Sequence, residues 1–364
     1  MSINREKANQ KFREEYEKLN EQQKLAVDTI EGPVMVIAGP GTGKTQILAA
    51  RIGKILLETD VLPENILCLT YTDAGAVAMR KRLLNFIGPD AYKVNIFTFH
   101  AFCNDIIQEN LSLFEKNTLD PVSELERIEY FKLLIDAFPK GHLLKRYRGD
   151  VYYEVGNLKN LFSLMKREGL TPDVISEKIN DHLKAIEDKD NEKYDFHYKT
   201  TRKGQWNVGD KKPAYHDEVE RMEKLRAAVN EFENFQRLMR KKDRYDFDDM
   251  INWVLKAFEE NKQLLASYQE RFQYILVDEY QDTSGTQNKL VELLINYWDK
   301  PNVFVVGDDD QSIFRFQGAN VENMEAFMKN YSNLLTIVLE NNYRSTQPIL
   351  DISRSLIEKN DSRL

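Results

Sequence analysis

The chain has 364 residues, of which 42% are hydrophobic and 30% are charged, and its net charge is −8. This length and composition predict two or three folded domains and exclude intrinsic disorder, because enough apolar side chains are present for a sizeable core. The acidic total excludes a protein that coats nucleic acid through bulk charge, although it leaves room for a local basic groove. The two cysteines, Cys68 and Cys103, are too few for a disulfide scaffold or a paired-cysteine metal site.

The amino-terminal segment is polar and charged, and it lacks the apolar core of a secretion signal. Residues 3–18 have the composition of a charged surface helix. No apolar run approaches the roughly 18–20 residues that span a bilayer. We therefore expect a soluble, cytoplasmic protein with no membrane partner.

Short apolar runs rich in β-branched residues alternate with helical patterns along much of the chain. The strand candidates are residues 34–38, 66–70, 94–97, 274–277, 303–306 and 335–339. The first is followed by a helical pattern at residues 46–57. Continuous apolar strands that alternate with helices indicate an α/β fold with a parallel sheet covered on both faces.

The pattern changes between about residues 112 and 240, where we find no convincing strands. Amphipathic helical stretches dominate there, at residues 124–138, 157–167 and 216–240. This change predicts an all-helical domain at 112–240, inserted between a first part of the α/β domain at 1–111 and a second part at 241–364.

The inserted segment is less acidic than the rest of the chain. Residues 139–215 contain 16 Lys or Arg against 12 Asp or Glu. Ordinary solvated helix faces explain this count as well as a nucleic-acid surface does. The charged piece at 187–217, with its scattered Gly and Pro, predicts a mobile loop.

The segment AGPGTGKT at residues 38–45 lies between the first predicted strand and a helix. Small residues allow backbone N–H groups to surround phosphate oxygens, and the following helix directs its N-terminus at the same anion. Lys44 would reach the β- and γ-phosphates, and Thr45 would hold Mg²⁺. The strict pattern begins with Gly where this chain has Ala38, and a plain tight turn is the alternative. The predicted phosphate-binding residues are Gly39, Pro40, Gly41, Thr42, Gly43, Lys44 and Thr45.

Acidic and polar side chains follow two other predicted strands. Asp278 and Glu279 come directly after the strand at 274–277, at the edge of a parallel sheet where ligands bind. Asp278 suits a Mg²⁺ shell, and Glu279 suits general-base activation of the attacking water. Gln311 follows the strand at 303–306 and could hydrogen-bond a γ-phosphate. Taken singly, these residues also fit a solvated strand end or an acidic turn.

In order and wording, these motifs resemble those of superfamily 1 DNA helicases of the UvrD/Rep/PcrA type. The resemblance extends from about residue 19 to 350 and covers the N-terminal half of such a protein. It implies a RecA-like P-loop NTPase sheet with an inserted helical subdomain. The matching segments are LNEQQ at 19–23, LTYTD at 69–73, TFH at 98–100, DFDD at 246–249, VDEYQDT at 277–283, GDDDQSI at 307–313 and LENNYRST at 339–346.

The resemblance implies roles for four further nucleotide contacts. Gln23 would read the adenine edge, and Tyr343 would stack on the adenine ring. Arg344 and Gln311 would contact the γ-phosphate, for which the permanent charge and forked geometry of arginine are suited. The resemblance also implies that Lys44, Asp278, Glu279, Gln311 and Arg344 form the catalytic set.

The resemblance places DNA contacts at Tyr71, Thr98, His100 and Phe316. Aromatic rings that stack on bases suit a translocating enzyme, because every base has a π face. Without the resemblance, Tyr71 and Phe316 read as core aromatics and His100 as a polar strand end. The family commonly has Trp and Arg where this chain has Phe316 and Gln317, so stacking is kept over a smaller area and a cation is absent.

The function implied is ATP-dependent, Mg²⁺-assisted movement along single-stranded DNA, in the 3′ to 5′ direction, with unwinding of duplex DNA in repair or replication restart. The implied partners are single-stranded DNA, single/double-strand junctions and a second RecA-like domain beyond residue 364. We therefore expect the chain alone to hydrolyse ATP poorly. Two alternatives stay open: a non-catalytic ATP- and DNA-binding module, and the motor part of a helicase–nuclease. Gln23 and the Asp278–Glu279 pair argue against a GTPase or kinase.

Overall fold

The computed structural model describes residues 10–114, 120–189, 191, 193–308 and 321–357. The chain divides into two compact units, which we describe separately. Unit 1 comprises residues 1–115 and 250–364, and unit 2 comprises residues 116–249. The sequence places these boundaries at 112 and 240. The second boundary falls later in the structure because residues 244–249 pair and hydrogen-bond within unit 2.

Eight strands occur in the described residues, and six of them form the parallel sheet of unit 1. The strands are β1 (Val34–Ala38), β2 (Ile66–Thr70), β3 (Asn95–Thr98), β4 (Asp120–Pro121), β5 (Arg244–Tyr245), β6 (Tyr274–Val277), β7 (Val303–Gly307) and β8 (Leu335–Leu339). The order in the large sheet is β3-β2-β6-β7-β1-β8. The α/β class and the six predicted strands are confirmed, and no predicted strand end differs from the observed one by more than one residue.

Helices connect these strands and make up most of unit 2. They are α1 (Glu21–Asp28), α2 (Lys44–Glu58), α3 (Asp73–Ile87), α4 (Phe99–Glu109), α5 (Leu111–Phe114), α6 (Glu124–Asp136), α7 (Val155–Glu168), α8 (Pro172–Glu187), α9 (Pro213–Asn230), α10 (Phe232–Lys241), α11 (Phe247–Glu260), α12 (Lys262–Arg271), α13 (Gly285–Ile295), α14 (Val321–Asn330) and α15 (Gln347–Ile357). Residues 10–16 are also helical, within the charged helix predicted at 3–18. No helix in these ranges is long and apolar enough to cross a bilayer.

Both faces of the sheet are buried at its four inner strands, β2, β6, β7 and β1, as their continuous apolar sequences predict, whereas Thr336 and Val338 of the edge strand β8 are exposed. Val34, Val36 and Ala38 belong to one core cluster that also contains apolar residues of α2 and α3. Successive strand residues point to opposite faces, so the equally buried Met35 lies on the other side. The carboxyl ends of all six strands therefore meet at one edge between two helical layers.

A buried arginine ties α1 to α2. Arg51 of α2 is almost fully buried, and its guanidinium lies 4.5 Å from the ring centroid of Phe304. It donates hydrogen bonds to the carbonyls of Ala26 (2.7 Å) and Ile30 (3.1 Å), and to that of Thr29. These carbonyls lie at the end of α1, where the helix has no internal donors for them. The contacts fix α1 against the helix that follows the glycine-rich loop.

Unit 2 has an aromatic core. The ring centroids of Phe131 and Phe235 are 4.1 Å apart and nearly parallel, and Phe162 lies 5.5–5.6 Å from both. Two predictions for this unit are wrong in detail. The stretch 216–240, predicted as one helix, is two helices. The N–H of Glu231 donates to the carbonyl of Ala228, three residues back, and the regular helical hydrogen bonding is interrupted there. The two-residue strand β4 also lies in the segment predicted to lack strands, paired in parallel with β5.

Candidate nucleotide-binding site

The glycine-rich loop depends on two glycines with left-handed backbone conformations. Gly41 has φ +75° and Gly43 has φ +94°, a region that side chains disfavour. A Cβ atom on Gly43 would lie 2.8 Å from Nε2 of Gln23, and one on Gly41 would lie 2.7 Å from Cβ of Arg344. The loop is therefore closely packed between the predicted adenine-reading residue on one side and the predicted γ-phosphate arginine on the other.

Gln23 is buried and its amide already makes local contacts. Gln23 and Asn20 form a capping box at the start of α1: the Gln23 N–H donates to Oδ1 of Asn20 (2.8 Å), and the Asn20 N–H donates to Oε1 of Gln23 (3.0 Å). Nε2 of Gln23 donates to the carbonyl of Thr42 (2.8 Å). The amide thus links α1 to the loop, and its contact with adenine stays a prediction.

Tyr343 is held beside the same loop from the other end of the chain. Its N–H donates to the carbonyl of Gly41 (2.9 Å), and its hydroxyl accepts a hydrogen bond from Nδ2 of Asn20 (2.8 Å). The side chain is nevertheless 64% exposed. The ring therefore offers a free face next to the loop, as a stacking role requires.

Asn342 clamps the backbone that carries Arg344. Its Oδ1 accepts hydrogen bonds from the N–H groups of Arg344 and Ser345, both at 2.8 Å, and its Nδ2 donates to the carbonyl of Pro40. The segment after β8 is thereby attached to the glycine-rich loop. The sequence contains no signal for this clamp, because it joins residues about 300 positions apart.

The two predicted acids follow β6 at the sheet edge. The Asp278 N–H donates to the carbonyl of Leu69, and Oδ1 of Asp278 accepts the N–H of Glu279 (3.0 Å). Burial, together with the charge of Glu279, raises the pKa of Asp278 to about 7. Glu279 has φ +50°, a strained conformation for a residue with a side chain, and such strain is concentrated at functional sites.

The side chain of Lys44, which follows β1, lies close to carboxylates that follow β6 and β7. Its Nζ lies 3.2 Å from Oε2 of Glu279 and 3.9 Å from Oδ2 of Asp308, and its side chain is 10% exposed. This is possible because β7, which ends at Gly307, lies between β1 and β6 in the sheet. The predicted phosphate-binding lysine and general base are thus within contact distance of each other.

Gln281 is a site residue that sequence reasoning missed. It is fully buried, and its Nε2 donates to Oε2 of Glu279 (3.0 Å) and Oδ2 of Asp282 (3.1 Å). Its Oε1 accepts the N–H of Asp308 (2.9 Å). This amide fixes the Glu279 carboxylate relative to the end of β7. The contact follows from strand order, which one sequence does not show.

The residues proposed for Mg²⁺ are chemically suited to it. Asp278 presents a buried carboxylate whose raised pKa reflects lost hydration, and a cation would offset that loss. Thr45 presents a hydroxyl in the first turn of α2. Carboxylate and hydroxyl oxygens, completed by phosphate and water, match the hard-oxygen preference of Mg²⁺.

Three of the predicted DNA contacts lie at the carboxyl ends of the neighbouring strands β2 and β3. Tyr71 follows β2 and is 42% exposed. Thr98 ends β3, and its Oγ1 caps α4 by accepting the N–H of Ala101 (3.2 Å), while His100 lies in the first turn of that helix. Of these, only Tyr71 has a well-exposed ring. Gln311 and Phe316 lie outside the described residues.

A glycine-rich loop between β1 and α2, a lysine in contact with a carboxylate from β6, and an intervening β7 together define a P-loop nucleotide-binding protein with a RecA-like sheet. Residues 19–332 match the family described as UvrD/REP helicase N-terminal domain, and the chain belongs to this family.

Curated relatives point to the same family. The ATP-dependent DNA helicase PcrA of Staphylococcus epidermidis is 33% identical over 349 residues, which cover 95% of this chain and 40% of the relative. PcrA of Staphylococcus aureus is 32% identical with the same coverage. The chain therefore spans about 40% of the length of these relatives.

Proposed function

We propose that this chain is the first motor unit of an ATP-dependent DNA helicase. The observation that carries the proposal is the contact of Lys44 with Glu279 beneath the glycine-rich loop, 3.2 Å between Nζ and Oε2. A γ-phosphate held by Lys44 would lie beside this carboxylate. The names of the relatives, which are ATP-dependent DNA helicases, support ATP as the nucleotide and DNA as the track.

In the proposed bound state, the loop N–H groups and Lys44 hold the phosphates, and Arg344 adds a forked cation to the γ-phosphate. Gln23 and Tyr343 bind the adenine by hydrogen bonding and stacking. Mg²⁺, held by Thr45 and Asp278, would offset the charge of the β- and γ-phosphate oxygens when it is bound.

Glu279 is the proposed general base. It accepts a proton from a water whose oxygen attacks the γ-phosphorus, while the bond from that phosphorus to the β–γ bridging oxygen breaks and ADP leaves. Gln281 holds the Glu279 carboxylate for this step through its amide hydrogen bond. Positioning and charge neutralisation supply most of the acceleration.

The DNA track is proposed to include Tyr71, Thr98, His100 and Phe316. Support comes from the exposed ring of Tyr71 and from the motif order of the family. We extend the proposal to 3′ to 5′ movement, to single/double-strand junctions, to a second RecA-like domain as partner, and to a role in repair or replication restart. These finer points rest on the resemblance alone.

ATP hydrolysis by this chain, measured with and without oligo-dT, tests the proposal. We expect slow turnover that rises with oligo-dT, and Glu279→Gln should lower it by about 10²–10⁴-fold, or to the blank, because a general base is lost. MgATP binding by Glu279→Gln should persist. Glu58→Gln, an exposed carboxylate on α2, is the matched control.

Two results would contradict parts of this account. Equal turnover by the wild type and Glu279→Gln would remove Glu279 from the chemistry. Turnover at the blank in both proteins, with MgATP still bound, would reduce the chain to a nucleotide-binding module.

A further inference from the structure

Asn20 is a half-buried residue whose side-chain amide contacts two different parts of the nucleotide site. It lies immediately before α1, where its backbone is extended and its Oδ1 accepts the N–H of Gln23 (2.8 Å). Its Nδ2 donates to the hydroxyl of Tyr343 (2.8 Å), which is 323 positions away in the chain. One side chain therefore contacts both residues that are proposed to bind the base.

The contact with Tyr343 holds the far end of that ring. The Tyr343 N–H donates to the carbonyl of Gly41 (2.9 Å), which fixes the backbone, but the side chain is 64% exposed. The Asn20 amide holds the hydroxyl, at the opposite end of the ring from the backbone. A ring that is held at both ends before a ligand arrives loses less conformational entropy when a base stacks on it.

The contacts of Gln23 determine which way its amide faces. Its Nε2 donates to the carbonyl of Thr42 (2.8 Å), and its Oε1 accepts the N–H of Asn20 (3.0 Å). A half-turn of the amide would place oxygen against oxygen and N–H against N–H. The capping box that Asn20 forms with Gln23 therefore selects one of the two amide orientations.

Amide orientation matters because adenine and guanine differ in one hydrogen-bonding group. Adenine presents an amino donor at N6 where guanine presents the acceptor O6. The Gln23 oxygen has a second lone pair and its nitrogen a second hydrogen, so each can still bind a base after the internal contacts. An amide held in one orientation matches only one of these two bases, whereas an amide that can turn over matches either.

We propose that Asn20 is a positioning residue for the base. It holds the Tyr343 ring for stacking, and it holds the Gln23 amide in the orientation that discriminates adenine from guanine. The proposal rests on the proposed function, which makes this the ATP site. It assigns Asn20 a role through its two neighbours, without a contact of its own to the nucleotide.

Two substitutions separate the two contacts. Asn20→Ser keeps a side-chain oxygen that can cap α1 and complete a capping box with Gln23, but it is too short to reach Tyr343. Asn20→Ala removes both contacts. Asn261→Ser and Asn261→Ala are the matched controls, because Asn261 caps α12 of unit 1 in the same way, by accepting the N–H of Leu264 (3.0 Å).

Calorimetry measures the affinity of each protein for MgATP, MgGTP and magnesium tripolyphosphate, which has the phosphates without the base or ribose. Tyr343→Phe, alone and combined with Asn20→Ser, completes a double-mutant cycle on the hydrogen bond between these two side chains. Thermal melting verifies that every variant is folded.

Asn20→Ser should weaken the binding of MgATP and MgGTP by the same factor, about 3- to 10-fold, because the net contribution of one hydrogen bond is lost. Tyr343→Phe should have a similar effect, and the double variant should bind no more weakly than either single variant. Asn20→Ala should weaken MgATP further and reduce the preference for MgATP over MgGTP. Tripolyphosphate affinity should be unchanged throughout, and the Asn261 controls should match the wild type.

Equal MgATP affinity in the wild type and both Asn20 variants would overturn the proposal and leave the nucleotide site intact. Additive losses in the double variant would overturn the role of the Tyr343 contact, and an unchanged base preference in Asn20→Ala would overturn that of the Gln23 contact. A parallel loss of tripolyphosphate binding would also overturn the proposal, because Asn20 would then support the whole site. Failure of the wild type to bind MgATP would overturn the proposed function itself.

Discussion

Each unit of this molecule contains a lysine between carboxylates, but the surroundings differ. In unit 1, Lys44 lies 3.2 Å from Glu279, whose side chain is 34% exposed. In unit 2, Lys166 lies 2.8 Å from both Asp246 and Asp249, and its side chain is only 2% exposed. The first cluster is at an open sheet edge that phosphate could reach. The second is sealed: its three charges lie against one another, and Arg127 lies 3.7 Å from Asp246.

The two clusters show that the role of a charged motif depends on whether solvent can reach it. Burial alone would raise the pKa of Asp246, but the charge and hydrogen bond of Lys166 outweigh it and hold that pKa below its ordinary value. Burial keeps the pKa of Asp249 above its ordinary value. Asp246 and Asp249 belong to the DFDD segment that resembles a helicase motif, yet their geometry indicates a structural role within unit 2.

Of the substitutions that test this comparison, Lys166→Met should have the largest effect. Loss of the cation leaves two carboxylates buried without it, so the free energy of unfolding of unit 2 should fall by about 3–5 kcal/mol. Urea denaturation followed by Trp206 fluorescence measures this, in a background where Trp253 and Trp298 are Phe.

Lys178→Met, an exposed lysine on α8, is the control and should leave the urea midpoint unchanged. MgATP affinity should be unaffected by Lys166→Met, because the nucleotide site lies in unit 1. An unchanged midpoint for Lys166→Met would contradict a structural role of the sealed cluster.

A smaller effect is expected from Tyr71→Ala at the open edge of unit 1. If its ring stacks on a base, oligo-dT binding should weaken by about 1–3 kcal/mol, or roughly 5- to 150-fold. Fluorescence anisotropy measures the affinity, and Tyr297→Ala, another exposed tyrosine of unit 1, is the control. Equal oligo-dT affinity in all three proteins would mean that Tyr71 is an exposed surface residue that does not contact the DNA.

The smallest effect is expected from Glu126→Gln at the start of α6. Hydrogen bonds from Ser123, then from Arg244, lower the pKa of Glu126 to about 2. Because this folded-state pKa is below the ordinary value of 4.5, its contribution is present above pH 4.5 and is lost as the pH falls toward 2. Urea midpoints of wild type and variant should differ slightly at pH 7 and converge as the pH approaches 2. A constant difference would show that the charge of Glu126 is irrelevant.

Sequence reasoning captured the sheet better than the site. Continuous apolar runs such as Val34–Ala38 predict buried strands, since few other structures bury nearly every residue of a short run rich in β-branched side chains. The glycine-rich loop was identifiable because its chemistry is local. Gln281 and Asn342 were not, because each acts through a partner that strand order or distant pairing brings near.

An antiparallel loop of unit 2, at residues 196–212, was missed for a related reason. Its composition of Lys, Gly and aromatic residues resembles an ordinary solvated connection. The antiparallel bridges of His197 with Lys211 and of Arg202 with Trp206, and the stacking of Tyr198 on Trp206, show that the segment has a defined structure.

MgATP binding by this chain and by Lys44→Ala, measured by calorimetry, tests the central claim most directly. Lys54→Ala is the control, since Lys54 lies on the same helix but pairs with Asp28 and Glu58. Removal of a charge-assisted hydrogen bond to phosphate should weaken binding by about 100-fold in Lys44→Ala. The wild type and Lys54→Ala should bind alike. Equal affinity in Lys44→Ala and the wild type would contradict the assignment of this edge of the sheet as the nucleotide site.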